Sequence, residues 1–170
     1  MKEIKHELFE ENAFNMIGND WLLFTAEKDG KANTMTASWG GLGIMWNKKV
    51  AYIFIRPQRY TKEFVDSAQR LSISVLPNRY RKELGYLGSV SGRDEDKISK
   101  SNLTLTNYEG VPAFEEARLT LICRKLYAQE MKEECFIEED IIERWYPEKD
   151  YHIMYVVEIE KILENEVDKK

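Results

Sequence analysis

Asn33-Thr34-Met35-Thr36-Ala37-Ser38-Trp39-Gly40-Gly41, continued by Val50-Ala51-Tyr52-Ile53-Phe54-Ile55-Arg56-Pro57-Gln58-Arg59-Tyr60-Thr61, is the stretch around which the chain is organised. It opens with amide and hydroxyl groups, passes through a run too apolar to face water, and closes on two arginines and a hydroxyl pair. Upstream, Trp21 to Glu27 is a compact apolar run followed by Lys28-Asp29-Gly30-Lys31. Asp-Gly between two strand-like runs signals a tight hairpin, because a primed turn needs positive φ. The return strand then spans Ala32 to Trp39, which puts Asn33, Thr34, Met35 and Thr36 on a strand beside Trp21 to Glu27.

Gly40, Gly41 and Gly43 interrupt the pattern, and glycines there permit a bulge, a bend or close approach by a ligand. Trp46 to Lys49 reads as a turn into Val50–Arg56, which is apolar on both faces and so predicts a central strand. Pro57 ends its ladder, and Thr61 is placed to cap a short helix through Ala68 with Phe64 and Val65 inward. Leu71 to Leu76 alternates strictly, which predicts a half-buried strand. Tyr80, Leu84 and Leu87 have helical spacing within Arg79–Leu87. Asp94 is a candidate cap for a further short helix reaching Lys100, and Leu103–Phe114, with Gly110 and Pro112, reads as irregular. Leu119–Gln129 and Tyr151–Ile159 are strand candidates, and Glu138–Trp145 is helical. Strands joined by short helices without βαβ alternation predict a mainly antiparallel barrel with peripheral helices.

A chain of 170 residues, 43% hydrophobic and 32% charged, is expected to form one globular domain over residues 1–170, with an N-terminal arm at 1–17 and a solvated charged tail at 161–170. The net charge of −5 gives no overall pull toward nucleic acid or anionic lipid, so an anion site has to be a local basic cluster. Cys123 and Cys135 are the only cysteines, which argues against a disulfide framework and makes the cytoplasm the expected compartment. The charged start lacks the apolar core of a signal peptide, and no apolar run approaches the roughly 20 residues that span a bilayer.

Three clusters carry chemistry. Arg56, Arg59, Tyr60 and Thr61 lie where a buried strand ends and a helix begins; guanidinium groups suit phosphate oxygens, and equally suit carboxylates on an acidic protein. Asn33, Thr34, Met35, Thr36 and Ser38 offer donors and acceptors for the edge of a flat heteroaromatic ring, or form an ordinary edge strand with β-favouring threonines. Ser91-Gly92-Arg93-Asp94-x-Asp96-Lys97 reads either as an anion-binding nest with Lys97 as a point charge or as an exposed turn with compensated charges. Trp39, Trp46 and Tyr60 flank the first two clusters and are placed to stack on or wall in a ring, or belong to the core, the commoner place for aromatics in a chain this rich in them. His6 and His152 are isolated, so no metal-ligand spacing arises, and neither a dinucleotide fingerprint nor a Walker loop is present.

Asn33-x-Met35-Thr36-x-Ser38-Trp39-Gly40, Arg56-Pro57-x-Arg59-Tyr60-Thr61, Ser91-Gly92-Arg93-Asp94-x-Asp96-Lys97 and Asp150-Tyr151-His152 occur in that order. This arrangement resembles the flavin reductase-like family with the FMN-binding split barrel, and within it the flavoredoxin-like members, over about Trp21 to Ile159. The resemblance implies a six-stranded antiparallel split β-barrel and a homodimer with FMN near the interface. It implies that Asn33, Thr34, Met35, Thr36, Ser38 and Trp39 lie around the ring and ribityl chain, and Arg56, Arg59, Tyr60 and Thr61 at the phosphate. Ser91, Gly92 and Lys97 supply further contacts. His152 matches a histidine near the flavin, where nicotinamide approaches, and is otherwise read as a hydrogen-bonded histidine in a strand. The implied activity is an oxidoreductase using NAD(P)H to reduce flavin or another acceptor. Its alternative is an electron carrier reduced by a partner protein.

Overall fold

The computed structural model describes residues 1–165, without the side chain of Glu139, and residues 166–170 of the expected tail lie outside them. In chain order the elements are β1 Lys2–Ile4, β2 Leu22–Lys28, β3 Lys31–Ala37, β4 Gly40–Met45, β5 Lys48–Ile55, α1 Tyr60–Ser67, β6 Arg70–Val75, α2 Arg81–Ser89, β7 Leu105–Tyr108, β8 Val111–Phe114, β9 Leu119–Glu130, α3 Glu139–Trp145 and β10 Ile153–Glu164. A short π-type helical turn, Asn15–Asp20, precedes β2 and buries Met16 and Ile17.

The β2–β3 hairpin forms as its Asp-Gly pair dictates, with Asp29 at φ 52° and Gly30 at φ 73°. Seven strands follow one path, β3-β2-β6-β9-β10-β5-β4, every neighbouring pair antiparallel, and β1 adds to β10 as an eighth strand. The mainly antiparallel architecture is therefore as expected, with eight strands in the sheet where the resemblance implied six. Its two terminal strands, β3 and β4, are joined only by Ser38 and Trp39. Three Cα steps of 3.8 Å cannot exceed about 11 Å, so the sheet must curl until its ends nearly meet. They do not pair, and the barrel stays split along the outer edge of β3.

Phe24, Ala26, Ile53, Ile55, Leu71, Ile73, Leu121, Tyr155 and Val157 fill the interior of this curl, closed at one end by Phe64 and Val65 of α1. Each fully buried side chain of this size contributes about 1.5–3 kcal/mol relative to exposure. A second cluster under α2 gathers Leu23, Leu76, Leu84, Leu87 and Phe114.

Several local expectations are corrected. The Gly40-Gly41 stretch is not a bend but strand β4, pressed against β5 so closely that a Cβ at Gly40 would sit 2.8 Å from the Tyr52 carbonyl oxygen. Strand β6 is buried on both faces rather than half-buried, because the β7–β8 hairpin covers its outer side and Ser72 Oγ donates to the Pro112 carbonyl at 2.6 Å. That hairpin replaces the irregular segment expected over Leu103–Phe114, turning at Glu109 (φ 52°) and Gly110 (φ 85°). Asp94 caps no helix; residues 92–102 form successive turns, with Asp96 Oδ1 accepting from the Ser99 amide at 3.2 Å. Thr61 is no cap either, since α1 already begins at Tyr60. Strand β10 runs five residues past Ile159 and buries Ile162 and Leu163, so the tail does not begin at Lys161. Among the described residues no helix is long and apolar enough to cross a membrane.

Candidate functional site

The split in the barrel opens into a cleft with two joined compartments that share Met35, Arg56 and Arg59. The first, about 460 Å³, lies between the start of α1 and the loop after α2, against Gln58, Tyr60, Thr61, Ser89, Val90, Ser91, Gly92 and Lys97. The second, about 320 Å³, lies along the end of β3 and is walled by Trp39, Phe54, Trp145 and His152. Both are the size of small-molecule sites.

Among the described residues no acidic side chain lines the first compartment. Lys97 is buried there, its Nζ donating to the carbonyls of Leu87 at 2.8 Å and Val90 at 3.0 Å. Burial, and then the positive charge of Arg59, push the Lys97 ammonium down to about 8. Arg59 donates to the Gly88 carbonyl at 2.8 Å, and among the described residues neither cation meets a carboxylate. Two positive charges thus converge on a cavity in a chain of net charge −5.

Gly92 makes this compartment fit together. A Cβ at that position would overlap Asn33 Oδ1 and lie 3.1 Å from the Tyr60 ring. The buried Asn33 amide in turn donates to Thr61 Oγ1 at 2.9 Å, tying β3 to the first turn of α1. Thr61 accepts in that bond, and Ser91 Oγ accepts from the Arg93 amide at 3.2 Å, so both hydroxyls keep a proton to donate. The Tyr60 ring is held edge-on by Phe64 at 5.0 Å and covered by the Arg93 guanidinium at 4.7 Å. Arg93 also pairs with Glu63 at 2.6 Å, so the nest-like segment keeps Lys97 inward while Arg93 is compensated outside.

In the second compartment β3 is the terminal strand, paired among the described residues only with β2, which leaves its outer backbone edge open to hydrogen bonding with a ligand. Thr36 and Ser38 line it, with Thr36 Oγ1 donating to the Leu84 carbonyl at 2.6 Å. Trp39 meets Trp145 edge-on at 5.1 Å and lies 5.2 Å from the His152 ring. His152 is buried, with Nδ1 2.8 Å from the Tyr146 hydroxyl. Burial and then the Arg56 charge push its imidazole down to about 4, against the opposing pull of Asp150. It is neutral at pH 7.

Two expected ligand contacts are engaged by other groups of the chain. Thr34 is fully buried and bonds to Thr25 Oγ1 at 2.9 Å and to the Phe24 carbonyl at 3.1 Å, so its side chain lines neither compartment. Arg56 does line both, yet its Nη1 pairs with Asp150 and its Nη2 donates to the Trp145 carbonyl at 2.7 Å. Gln58 Nε2 donates to the same Asp150 oxygen at 2.6 Å. Burial alone would raise the Asp150 carboxyl, but hydrogen bonds from Arg56 and Gln58 outweigh it and hold it below the usual carboxylate range. Phe54, Gln58 and Trp145 were not anticipated. Phe54 falls in a run read as a buried central strand and Trp145 at the end of a helix, although the Phe54-x-Arg56 spacing already placed Phe54 on the same side of the strand as Arg56.

With this geometry in place, the chain belongs to the family described as flavin reductase like domain, which matches residues 16–170. A protein of Archaeoglobus fulgidus without an assigned function is 28% identical over 96 residues, spanning 55% of this chain and about half, 54%, of that relative. The crystal structure of flavoredoxin from Methanosarcina acetivorans superposes with a TM-score of 0.68 at 23% identity, covering 86% of this chain and 69% of the other. An FMN-binding protein from Thermus thermophilus with bound p-hydroxybenzaldehyde gives a TM-score of 0.69 at 20% identity, covering 98% and 83%. At these identities the likeness is one of fold.

Proposed function

We propose that the chain is an FMN-binding oxidoreductase with the FMN phosphate at Lys97 and Arg59 and the ring along the free edge of β3. The observation that carries this reading is the acid-free compartment holding a buried ammonium beside a guanidinium. A phosphate monoester carries about −1.5 to −2 at pH 7, which matches the two uncompensated cations. Lys97, Arg59 and the free hydroxyl protons of Thr61 and Ser91 hold the phosphate. Met35, Thr36 and Ser38 face the ring, and Trp39 and Trp145 shield it from water. Arg56 braces the wall that carries Trp145. When bound, FMN supplies the hydride and electron chemistry, so the chain's residues bind, orient and exclude solvent.

NAD(P)H is the reductant in this reading, and flavin or another small acceptor takes the electrons. A second copy of the chain completes the site. Trp39 and Trp145 are 39% and 41% exposed at the compartment, and Ile44, Trp46 and Tyr127 leave further apolar surface on β4, its turn and β9. Such surface suits an interface near the cleft, and the expected outcome of sedimentation analysis is a homodimer. The cytoplasm, where Cys123 and Cys135 stay reduced, is the proposed compartment.

A second reading, an electron carrier reduced by a partner protein, is favoured by the likeness to flavoredoxin. The absorption spectrum of the protein as isolated, titrated anaerobically with NADH and then NADPH, separates the two. Bleaching of a bound flavin by a nucleotide supports the reductase. Bleaching by dithionite alone supports the carrier, and absence of flavin binding sinks both.

A further inference from the structure

The bond between Tyr146 and His152 links what the histidine offers to a ligand to which of the two groups donates. The Tyr146 hydroxyl has one proton and two neighbours able to take it, Met131 Sδ at 3.9 Å and, in the tautomer with the ring proton on Nε2, His152 Nδ1 at 2.8 Å. An imidazole nitrogen at the shorter distance is much the better acceptor than a thioether. A neutral imidazole that accepts at Nδ1 carries its proton on Nε2. Nε2 has no partner among the described residues and is not sealed from solvent, and His152 lines the second compartment. The charged groups facing the ring are Arg56 at the end of β5, Arg59 at the start of α1, and Asp150 just before β10. Asp150 is engaged by Arg56 and Gln58, and together with burial the two cations disfavour an imidazolium.

We propose that Tyr146 is a positioning residue that holds His152 as a neutral Nε2–H donor, selecting a carbonyl oxygen on a planar ring set against Trp39, Phe54 and Trp145. The three aromatic walls supply flat apolar contact, and the donor supplies the one polar requirement. That carbonyl belongs either to the flavin ring itself or to a second ring beside it, a choice that rests on the function proposed above.

Histidine-labelled protein contains two imidazoles, His6 and His152, and His6→Gln assigns them. Long-range 1H–15N correlation spectra at pH 7, recorded without flavin, are expected to show His152 protonated at Nε2 alone. In Tyr146→Phe the single tautomer is expected to give way to a mixture. An Nδ1–H tautomer or an imidazolium in the wild type overturns the proposal, as does an unaltered single tautomer in Tyr146→Phe. If that variant does not fold, the wild-type tautomer decides. FMN and then nicotinamide are added next. A shift of the Nε2–H resonance with FMN assigns the acceptor to the flavin ring, and a shift only with nicotinamide assigns it to a second ring. A shift with neither overturns the donor role. Because the tautomer is read without flavin, a failure to bind FMN is distinguishable from a wrong tautomer.

Discussion

Arg56 and Asp150 form an ion pair across the mouth of the cleft, joining the end of β5 to the last turn before β10. The same guanidinium reaches the Trp145 carbonyl at 2.7 Å, so one side chain ties down both ends of the segment that walls the second compartment. An arginine whose sequence position suggested phosphate binding is thereby largely committed to holding the wall. In the proposed function, phosphate recognition falls to Lys97 and Arg59.

Arg56→Ala should therefore act on the wall and not on the phosphate. Removing one partner of a charged hydrogen bond leaves Asp150 under-compensated and costs about 1–3 kcal/mol. Urea unfolding should show a loss of that order, and proteolysis within residues 131–152 should accelerate. The ratio of FMN to riboflavin affinity should stay within about threefold of wild type, or about 0.7 kcal/mol, since Arg56 makes no phosphate contact in this reading. A selective loss of FMN binding would return Arg56 to the phosphate.

Gly92→Ala tests the close approach on which the proposed phosphate compartment depends. The new methyl would overlap Asn33 Oδ1 and press on the Tyr60 ring, while the Asn33 amide is held by Thr61. Relief requires breaking that buried bond or displacing the loop, and overpacking of this kind costs about 1–3 kcal/mol. Both thermal stability and FMN affinity should fall. Unchanged values for both would mean that the loop has slack that the geometry does not show.

The fold was legible wherever local chemistry and tertiary context agreed. Asp29-Gly30 announced its hairpin, and the apolar run from Val50 to Ile55 and the spacing of Leu84 and Leu87 located β5 and α2. Failures occurred where a partner distant in sequence decides the outcome. Ser72 and Ser74 look solvent-facing until the β7–β8 hairpin is known to cover them, and Glu109-Gly110 was a turn signal masked by Pro112. At the site, residue types alone left each cluster open, and it was the order of the motifs and the resemblance they carry that grouped Arg59 with Ser91, Gly92 and Lys97, which line one compartment. Which arginine is neutralised depends on Asp150, ninety-four residues from Arg56, and no spacing rule reaches that far.

His152 should destabilise the protein in acid. Its folded-state pKa of about 4 lies below the ordinary 6.5, so between these values the unfolded chain binds more protons. The stability is fully present above about pH 6.5 and is lost as pH falls toward 4. The shift corresponds to a loss on the order of 3 kcal/mol. Comparing wild type with His152→Gln cancels the carboxylates, so the wild type should lose more stability between pH 7 and pH 4 by about that amount. Parallel acid limbs in denaturant titrations would show that His152 does not titrate this way.

Lys97 makes the opposite end of the pH range informative. Burial, with Arg59 beside it, depresses its pKa from 10.5 to about 8 in the free protein. The unfolded chain therefore holds more protons between those values, and the flavin-free protein should gain stability from this group as pH rises through that window. A phosphate favours the protonated form, so FMN binding should take up a proton above about pH 8. Riboflavin, lacking the phosphate, should not. Fluorescence titrations should accordingly show the FMN-to-riboflavin affinity ratio falling about tenfold between pH 7.5 and pH 9.5. In Lys97→Met the ratio should be lower by about 10- to 100-fold at pH 7.5, the worth of one or two charge-assisted hydrogen bonds, and flat with pH. Equal losses for the two ligands, or a pH dependence that survives the substitution, would place the phosphate away from Lys97.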